Sequence, residues 1–178
     1  MEKNIKIAIS GRSGCGNTTV SKMIADTLGL RFINFTFRSL AKERNLDLKD
    51  ILELASKDDS IDMEVDTRQV AIARGDGGCV LGSRLAIWML KEADLKIYLD
   101  ATANIRAQRI VNREGGSLAE VAAFTADRDK QDYDRYLRIY NIDTNDYNFA
   151  DLIINTDNIN PQQITDLIVE KVENLKAK

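Results

Sequence analysis

A glycine-rich segment near the start of the chain has the spacing of a phosphate-binding loop. It reads GRSGCGNTT over residues 11–19 and matches the pattern G-x-x-x-x-G-K-[ST] except at one position. Gly11, Gly14 and Gly16 allow a tight turn whose backbone N–H groups point inward, and the helix that follows adds the positive end of its dipole. Thr18 stands where such loops place the hydroxyl that ligates Mg²⁺. The segment therefore predicts a cradle for the phosphates of a nucleoside triphosphate.

Asn17 occupies the position of the lysine in that pattern. An ordinary glycine-rich turn that binds nothing is the alternative interpretation. The apolar run at 5–10 and the two threonines favour phosphate binding, because they place the segment between a strand and a helix. The residues predicted to contact the triphosphate are Gly11, Arg12, Ser13, Gly14, Cys15, Gly16, Asn17, Thr18 and Thr19.

Two helical segments, separated by a glycine pair at 115–116, carry arginines that share a helix face. The first has them at i, i+3 and i+7: Arg106, Arg109 and Arg113. The second has charged residues at i, i+4 and i+7: Arg128, Asp132 and Arg135. Guanidinium groups bind phosphate oxygens through paired hydrogen bonds and stay charged at working pH. The pattern predicts an arginine-rich lid that supplies the charge missing at Asn17; the alternative is a solvated helix face.

Further candidates lie where a second substrate would bind. Arg38 and Arg84 follow the second and third predicted strands, and ligands of parallel sheets lie beyond the carboxyl ends of the strands. A surface ion pair is the alternative for each arginine. Asp62, Asp66 and Gln69 fall at i, i+4 and i+7 on one helix face. Their carboxylate and amide groups could contact a base edge, or the face could simply be solvated.

The hydrophobic pattern alternates between strand and helix along the chain. Strands are predicted at 5–10, 31–34, 79–82, 95–100 and 152–155. Helices are predicted at 18–28, 37–44, 48–57, 61–74, 84–90, 102–113, 118–140 and 161–175. This alternation predicts an α/β fold with a five-stranded parallel sheet, right-handed crossovers and helices on both faces.

Composition narrows the chemistry. The chain has 178 residues, enough for one domain, and its 44% hydrophobic and 30% charged content is typical of a soluble globular protein. A net charge of −3 disfavours a nucleic-acid partner, and no apolar run approaches the ~18 residues of a membrane span. The absence of histidine excludes Ser–His and Cys–His nucleophiles and the usual zinc sites. Arginines, carboxylates, backbone dipoles and a hard metal remain, and phosphoryl transfer needs only those.

The two cysteines, Cys15 and Cys79, indicate a reducing compartment rather than a disulfide framework. The N-terminus passes directly into the first predicted strand, which leaves no room for a signal peptide. We therefore expect a cytoplasmic monomer that binds small molecules, without a nucleic-acid or membrane partner.

Taken together, these residues resemble the nucleoside monophosphate kinases, and most closely the short archaeal-type (type 2) cytidylate kinases, over nearly the whole chain. The phosphate loop of that family also lacks the lysine and typically has threonine there. Four further segments are similar to its monophosphate-binding helix, its acidic helix, its glycine-arginine segment and its lid helix: residues 37–44, 61–69, 82–89 and 128–143. The serine expected after the second strand is absent, and Asn34 and Thr36 are nearest to its position.

The resemblance implies a P-loop NTPase fold and an ATP:(d)CMP phosphotransferase that uses ATP, Mg²⁺ on Thr18, and CMP or dCMP as acceptor. Arg38 and Arg84 would bind the acceptor phosphate, and Asp62 or Asp66 would accept a hydrogen bond from the cytosine amino group. One kinase domain is expected over 1–178, with its core at 1–35, 75–113 and 141–178, acceptor-binding helices at 36–74 and a lid at about 114–140.

Five residues are then expected to serve catalysis: Arg109, Arg113, Arg128, Asp132 and Arg135. We expect Asp132 to hold Arg128 and Arg135 rather than to act as a base, because the acceptor phosphate is already an anion at neutral pH. Catalysis would consist of positioning and charge neutralisation in a site emptied of water.

Other functions stay open at this point. The acceptor could be another nucleoside monophosphate, such as UMP or AMP, or a small metabolite. A GTPase-like switch or a nucleotide-binding module without turnover would belong to a different class. The switch would need an N-K-x-D motif, and the nearest string, at 155–158, reads NTDN. A module without turnover would have no reason to keep paired lid arginines.

Overall fold

The computed structural model describes residues 4–176 and contains one sheet of five parallel strands. The strands are β1 (Lys6–Gly11), β2 (Arg31–Ile33), β3 (Cys79–Gly82), β4 (Leu95–Asp100) and β5 (Leu152–Asn155). Their order across the sheet is β2-β3-β1-β4-β5. Each strand lies within one residue of its predicted bounds, because each is a short apolar run closed by turn-forming residues. Residues 1–3 and 177–178, which the domain prediction includes in the core of the kinase domain, lie outside the described residues.

Within residues 4–176 eight helices connect and cover the strands. They are α1 (Asn17–Leu28), α2 (Phe37–Arg44), α3 (Leu48–Ala55), α4 (Asp59–Arg74), α5 (Ala86–Met89), α6 (Ala103–Glu114), α7 (Leu118–Tyr140) and α8 (Pro161–Lys176). Helix α4 begins two residues before its predicted start because Asp58 accepts a hydrogen bond from the Ser60 N–H at 2.9 Å and caps it. Helix α5 is shorter than predicted, since Leu85 has φ −106° and ψ 6°, outside the helical range.

Both faces of the sheet are covered by helices, as the sequence predicts. On β1 the side chains alternate, so that Ile7 and Ile9 pack in one cluster with Ile24 of α1 and Ile168 of α8. Ala8 points to the other face, in a second cluster formed mainly by β3, α4 and α5. Each fully buried isoleucine or leucine contributes roughly 1.5–3 kcal/mol to stability. The central strand is therefore held rigidly, and so is the loop that follows it.

Helices α2, α3 and α4 have a small core of their own near the end of β2. Leu40, Ile51 and Val65 are buried there together with Phe35, which follows β2. The parallel register pairs Ile9 with Gly82, so β1 and β3 end side by side. The segments that follow β1, β2 and β3 thus meet at one edge of the sheet, where ligands of such folds bind. Among the described helices, none is long and apolar enough to cross a membrane.

Candidate active site

The loop between β1 and α1 leaves the start of α1 open to an anion. Gly14 and Gly16 have φ angles of 86° and 91°, in the left-handed region that favours glycine. Gly16 is the N-cap of α1; among the described residues no side chain caps this helix, and its first turn carries no acidic residue. The first N–H groups of α1 therefore lack a capping partner and the helix dipole is uncompensated there. This geometry suits a phosphate group.

Two arginines of α6 bind the backbone of this loop. Arg106 Nη1 donates to the carbonyl of Ser13 at 3.1 Å, and its Nη2 donates to Asp129 at 2.7 Å. Arg109 Nη1 donates to the carbonyl of Gly14 at 3.3 Å. A Cβ on Gly14 would lie 2.8 Å from the carbonyl oxygen of Arg106, so only glycine allows α6 to approach this closely. The carbonyls of Ser13 and Gly14 are satisfied by these contacts, and within the loop the N–H of Cys15 donates to the carbonyl of Arg12 at 3.1 Å.

The three arginines predicted on one lid face of α6 thus have different surroundings. The side chain of Arg106 is only 4% exposed and is held by Asp129 of α7. Arg109 also binds Thr156 after β5, through Oγ1 at 2.9 Å and through the carbonyl. Arg113 is exposed and pairs with Glu114. Arg106 and Arg109 position the loop rather than cover it, so the lid prediction does not describe them. The catalytic roles of Arg109 and Arg113 stay predictions.

One hydrogen bond and three ion pairs link the phosphate loop, the segment after β3, α7 and α4. Arg84 Nη2 donates to Ser13 Oγ at 2.6 Å, and Arg84 Nη1 lies 2.6 Å from Asp132 Oδ2. Asp132 Oδ1 lies 2.8 Å from Arg135 Nη2, and Arg135 Nε lies 3.4 Å from Asp62 Oδ1. The carboxylates are 11% and 7% exposed, so solvent screens these charges little. The network fixes the direction in which Arg84 points.

This network corrects one expectation about α7. Asp132 holds Arg135, as predicted, but its second partner is Arg84 and not Arg128. The alternative of a solvated helix face does not describe Arg135, because its side chain is 27% exposed and its guanidinium lies 5.1 Å from the centre of the Tyr136 ring. Arg128 is exposed and forms no ion pair within residues 4–176. Partial desolvation of the guanidinium and, to a smaller extent, the positive charge of Arg84 lower the pKa of Arg128.

A cavity of about 410 Å³ lies over the phosphate loop and is called the arginine cavity below. Every charged side chain in its lining is an arginine. The lining residues are Gly11, Arg12, Ser13, Gly14, Gly16, Asn17, Thr18, Thr19, Asn34, Phe35, Thr36, Gln69, Gly82, Ser83, Arg84, Arg113 and Arg128. Asn17 accepts a hydrogen bond from Ser21 at 3.3 Å through its Oδ1. The positive charge of this cavity therefore comes from arginines outside the loop pattern, and from Arg12 within it.

A second cavity, of about 400 Å³, lies on the other side of the loop residues Gly14 and Gly16. Its walls include Val20 and Ile164, and Asn160 and Pro161 at the start of α8. Sequence reasoning did not select these residues for the site. The sequence does contain an indication that they lie near the site. A helix that begins with proline follows β5, at the same edge of the sheet as the phosphate loop. Cys15 also lines this cavity, and burial raises the pKa of its thiol to about 11.

Three predicted acceptor residues do not line either cavity. Arg38 is exposed on the first turn of α2. Asp62 pairs with Arg135, and Asp66 accepts a hydrogen bond from the Tyr140 hydroxyl at 2.9 Å. Burial raises the pKa of both carboxyl groups, and that of Asp66 to about 6. Their contact with a base stays a prediction. Gln69, noted only as part of the same helix face, does line the arginine cavity.

Solved structures with a similar fold include kinases. Shikimate kinase from Acinetobacter baumannii, in complex with shikimate, has a TM-score of 0.67 and 16% identity, over 99% of this chain and 97% of that chain. Deoxyadenosine kinase from M. mycoides, with bound dATP, has a TM-score of 0.56 and 17% identity, over 95% of this chain and 100% of that chain. At such identities the likeness establishes the fold alone, the P-loop α/β fold that the sequence predicts.

Sequence comparisons are more specific. The model of the cytidylate kinase-like family matches residues 6–158. Cytidylate kinase 2 of Borreliella afzelii is 47% identical over 178 residues, which cover 98% of this chain and 99% of that protein. Cytidylate kinase of Pyrococcus horikoshii is 42% identical over 171 residues, 95% of this chain and 88% of that protein. The matched span contains the phosphate loop and every arginine of the site, and the chain therefore belongs to the cytidylate kinase-like family.

Proposed function

We propose that this protein transfers the γ-phosphate of ATP to CMP or dCMP, giving CDP or dCDP. The observation that carries this proposal is the open start of α1 beside a cavity whose charged lining side chains are all arginines. Such a site holds several phosphate groups at once, as a reaction between a triphosphate and a monophosphate requires. Family membership supplies the nucleotide class, since the relatives matched over most of their length are cytidylate kinases.

ATP would bind across both cavities. Its β-phosphate would lie in the cradle at residues 11–19, and its adenosine would occupy the second cavity, where Val20, Pro161 and Ile164 offer apolar surface. Gly14 and Gly16 line both cavities, so one extended nucleotide can pass from one to the other. This arrangement directs the γ-phosphate into the arginine cavity.

The acceptor phosphate would lie between Arg84 and Arg128. Arg84 is already oriented by Ser13 and Asp132, so little conformational freedom is lost when it binds. Arg128 has no ion pair to break within the described chain. The two guanidiniums would neutralise the charge that builds up as an acceptor oxygen attacks the γ-phosphorus in line. No general base is required, because that oxygen carries no proton at neutral pH.

Mg²⁺ fits this site through its donor set. Thr18 is the second residue of α1, lines the arginine cavity and offers a hydroxyl oxygen. Within residues 4–176 no group of three or more His, Cys, Asp or Glu side chains could hold a metal. Phosphate oxygens and water would therefore complete the coordination shell, which is the arrangement a small hard cation prefers beside a nucleotide. A bound ion would supply further neutralisation of phosphate charge.

Closure of α7 over the phosphates is part of the proposal, because the turn before it can rotate. Gly115 and Gly116 have φ angles of 83° and 96°, and a Cβ on Gly115 would meet nothing within 4 Å. Closure would exclude water and so suppress ATP hydrolysis when no acceptor is bound. The proposed units are the core at 1–35, 75–113 and 141–178, the acceptor-binding region at 36–74 and the lid at about 114–140.

We also propose that one copy of the chain is active by itself, because the phosphate loop, Arg84 and Arg128 of the same chain come together around the arginine cavity. Light scattering at the enzyme concentration of the activity assay tests this. A dimer that loses activity on dilution would contradict it.

The activity is tested by incubating the protein with ATP, Mg²⁺ and one of CMP, dCMP, UMP or AMP, while ADP and the new diphosphate are both measured. We expect rapid conversion of CMP and dCMP and far slower conversion of UMP. Thr18→Val keeps the shape of the residue but removes its hydroxyl, so it serves as the inactive control. Faster turnover of AMP than of CMP would overturn the cytidylate assignment. Binding of ATP without any product would identify a module without turnover.

A further inference from the structure

The arginine cavity contains a glutamine whose orientation is fixed by the fold. Gln69 of α4 lines the cavity, and its Nε2 donates to the carbonyl oxygen of Phe35 at 2.7 Å. Only the NH₂ end of an amide can donate to a carbonyl, so this contact determines which end of the side chain faces Phe35. Oε1 is the end that remains, and within residues 4–176 no group donates a hydrogen bond to it.

Gln69 Oε1 is also accessible. The described buried side-chain atoms without a hydrogen-bond partner are Arg106 Nε and Arg135 Nε, so the unpartnered Oε1 of Gln69 is not sealed inside the protein. Phe35, which anchors the amide, is buried, and the guanidinium of Arg68 lies 4.5 Å from the centre of its ring. The cavity therefore presents one rigidly held hydrogen-bond acceptor at this point.

The sheet places this acceptor at a distance from the phosphate loop that suits a nucleotide. Phe35 follows β2, and β3 lies between β2 and β1, which leads into the loop. Neighbouring strands are about 4.8 Å apart, so the two segments are separated by roughly 10 Å. Arg84 follows the intervening strand β3. An acceptor nucleotide with its phosphate at Arg84 would extend its base toward Gln69.

We propose that Gln69 selects the acceptor base, with Oε1 accepting a hydrogen bond from the 4-amino group of cytosine. This inference rests on the proposed function and deepens it. Uracil carries a carbonyl oxygen at the same place, and two acceptors facing each other leave both unpaired. The amide cannot turn to offer its NH₂ group instead, because the carbonyl of Phe35 would then lose its donor. A site of this kind rejects the wrong base rather than merely preferring the right one.

The two carboxylates predicted to contact the base are less suitable. Asp62 is paired with Arg135, and Asp66 accepts from Tyr140, so each already has a partner within the protein. Neither lines the cavity. Asp66→Asn therefore serves as the competing variant in the test.

The first experiment compares kcat/KM for CMP with kcat/KM for UMP in the wild type and in Gln69→Leu. We expect the CMP-to-UMP ratio to fall by at least about tenfold in the variant, since the oriented acceptor is gone. Gln108→Leu makes the same chemical change at an exposed position of α6 outside both cavities, and its ratio should stay at the wild-type value. A ratio unchanged in Gln69→Leu, or lost in Asp66→Asn alone, would overturn the proposal.

The second experiment keeps the wild-type protein and changes the nucleotide. The analogue of CMP with hydrogen in place of the 4-amino group should have a kcat/KM at least about tenfold below that of CMP. In Gln69→Leu the two nucleotides should be equivalent, which closes a cycle that isolates this one contact. Equal use of CMP and analogue by the wild type would refute the role of Gln69, even if the variant does not fold. Failure of the wild type to phosphorylate CMP at all would instead refute the proposed function.

Discussion

Asp132 of α7 lies 2.6 Å from Arg84, measured from Oδ2 to Nη1, and so connects the proposed lid helix to the end of β3. Its other oxygen lies 2.8 Å from Arg135, which places one carboxylate between two guanidiniums. The carboxylate is largely buried, and its charge is needed to keep two cations close together there. Asp132 is therefore a positioning residue for Arg84, which lines the arginine cavity, and for Arg135.

Asp132→Asn should lower both activity and stability. The variant keeps the shape of the side chain but removes the charge that holds Arg84 and Arg135. We expect the free energy of unfolding, measured by urea denaturation without nucleotide, to fall by roughly 1–3 kcal/mol, as for a lost hydrogen bond to a charged group. Asp134→Asn is the matched control, since the exposed carboxylate of Asp134 lies 3.9 Å from Lys130. Its loss should change the free energy of unfolding by less than about 0.5 kcal/mol. Wild-type stability in Asp132→Asn would show that the ion pairs do not contribute.

Arg128→Ala should lower kcat/KM by roughly 10²–10⁴, because a guanidinium that neutralises charge in phosphoryl transfer is worth several kcal/mol. Its melting temperature should stay close to that of the wild type, since Arg128 is exposed and has no ion pair within the described residues. Lys130→Ala removes a cation from the same helix and should leave kcat/KM unchanged. Retention of more than about half of the wild-type turnover by Arg128→Ala would contradict its proposed role.

Arg135→Ala should cause a comparable loss of activity together with a loss of stability. The side chain is partly buried between Asp62 and Asp132, and its removal leaves both carboxylates without that partner. Parallel assays of turnover and of urea denaturation separate the two effects. If Arg135→Ala melts like the wild type, the network contributes nothing to the folded state.

The fold and the phosphate loop could be predicted from sequence because their determinants are local. A strand such as β3 is a run of four apolar or small residues between turns, and the loop at 11–19 requires glycines at fixed offsets. The family resemblance, which the sequence comparisons confirm, also made the class of reaction predictable.

The partners of the charged residues could not be predicted in this way. Spacing places Arg106, Arg109 and Arg113 on one face of α6, but it does not say what that face meets. In the structure part of this face packs against the phosphate loop, and Arg106 is therefore buried. Likewise, periodicity cannot choose among Asp62, Asp66 and Gln69. That choice depends on contacts with distant segments, namely the end of β2 and the end of α7.

Asn17→Lys should give no large gain in kcat/KM, because arginines already supply the positive charge of the cavity. The added lysine would also extend into a space bounded by Arg84 and Arg128, where like charges repel. Steady-state kinetics with CMP measure the effect. A tenfold rise, equal to about 1.4 kcal/mol of transition-state stabilisation, would show that the loop lacks a function that the arginines do not replace.

Asp66 makes the folded protein less stable as the pH rises through the acidic range. Burial raises the pKa of its carboxyl group to about 6, while the hydrogen bond from Tyr140 opposes that rise. In the unfolded chain the pKa is about 3.9. Between about pH 4 and pH 6 the folded state therefore binds more protons than the unfolded state, so the free energy of unfolding falls with increasing pH. Above about pH 6 Asp66 is ionised in both states, and the free energy of unfolding no longer falls on its account.

Asp66→Asn should remove this cost, because asparagine keeps an acceptor for the Tyr140 hydroxyl and carries no charge. Relative to the wild type, we expect the variant to gain roughly 1–3 kcal/mol between pH 4 and pH 7, measured by urea denaturation at each pH. Asp26→Asn makes the same chemical change at an exposed position of α1 and is the matched control. A constant difference between wild type and Asp66→Asn across this range would mean that Asp66 ionises in the folded protein as it does in the unfolded chain. The hydrogen bond from Tyr140 would then offset burial at this contact between α4 and α7.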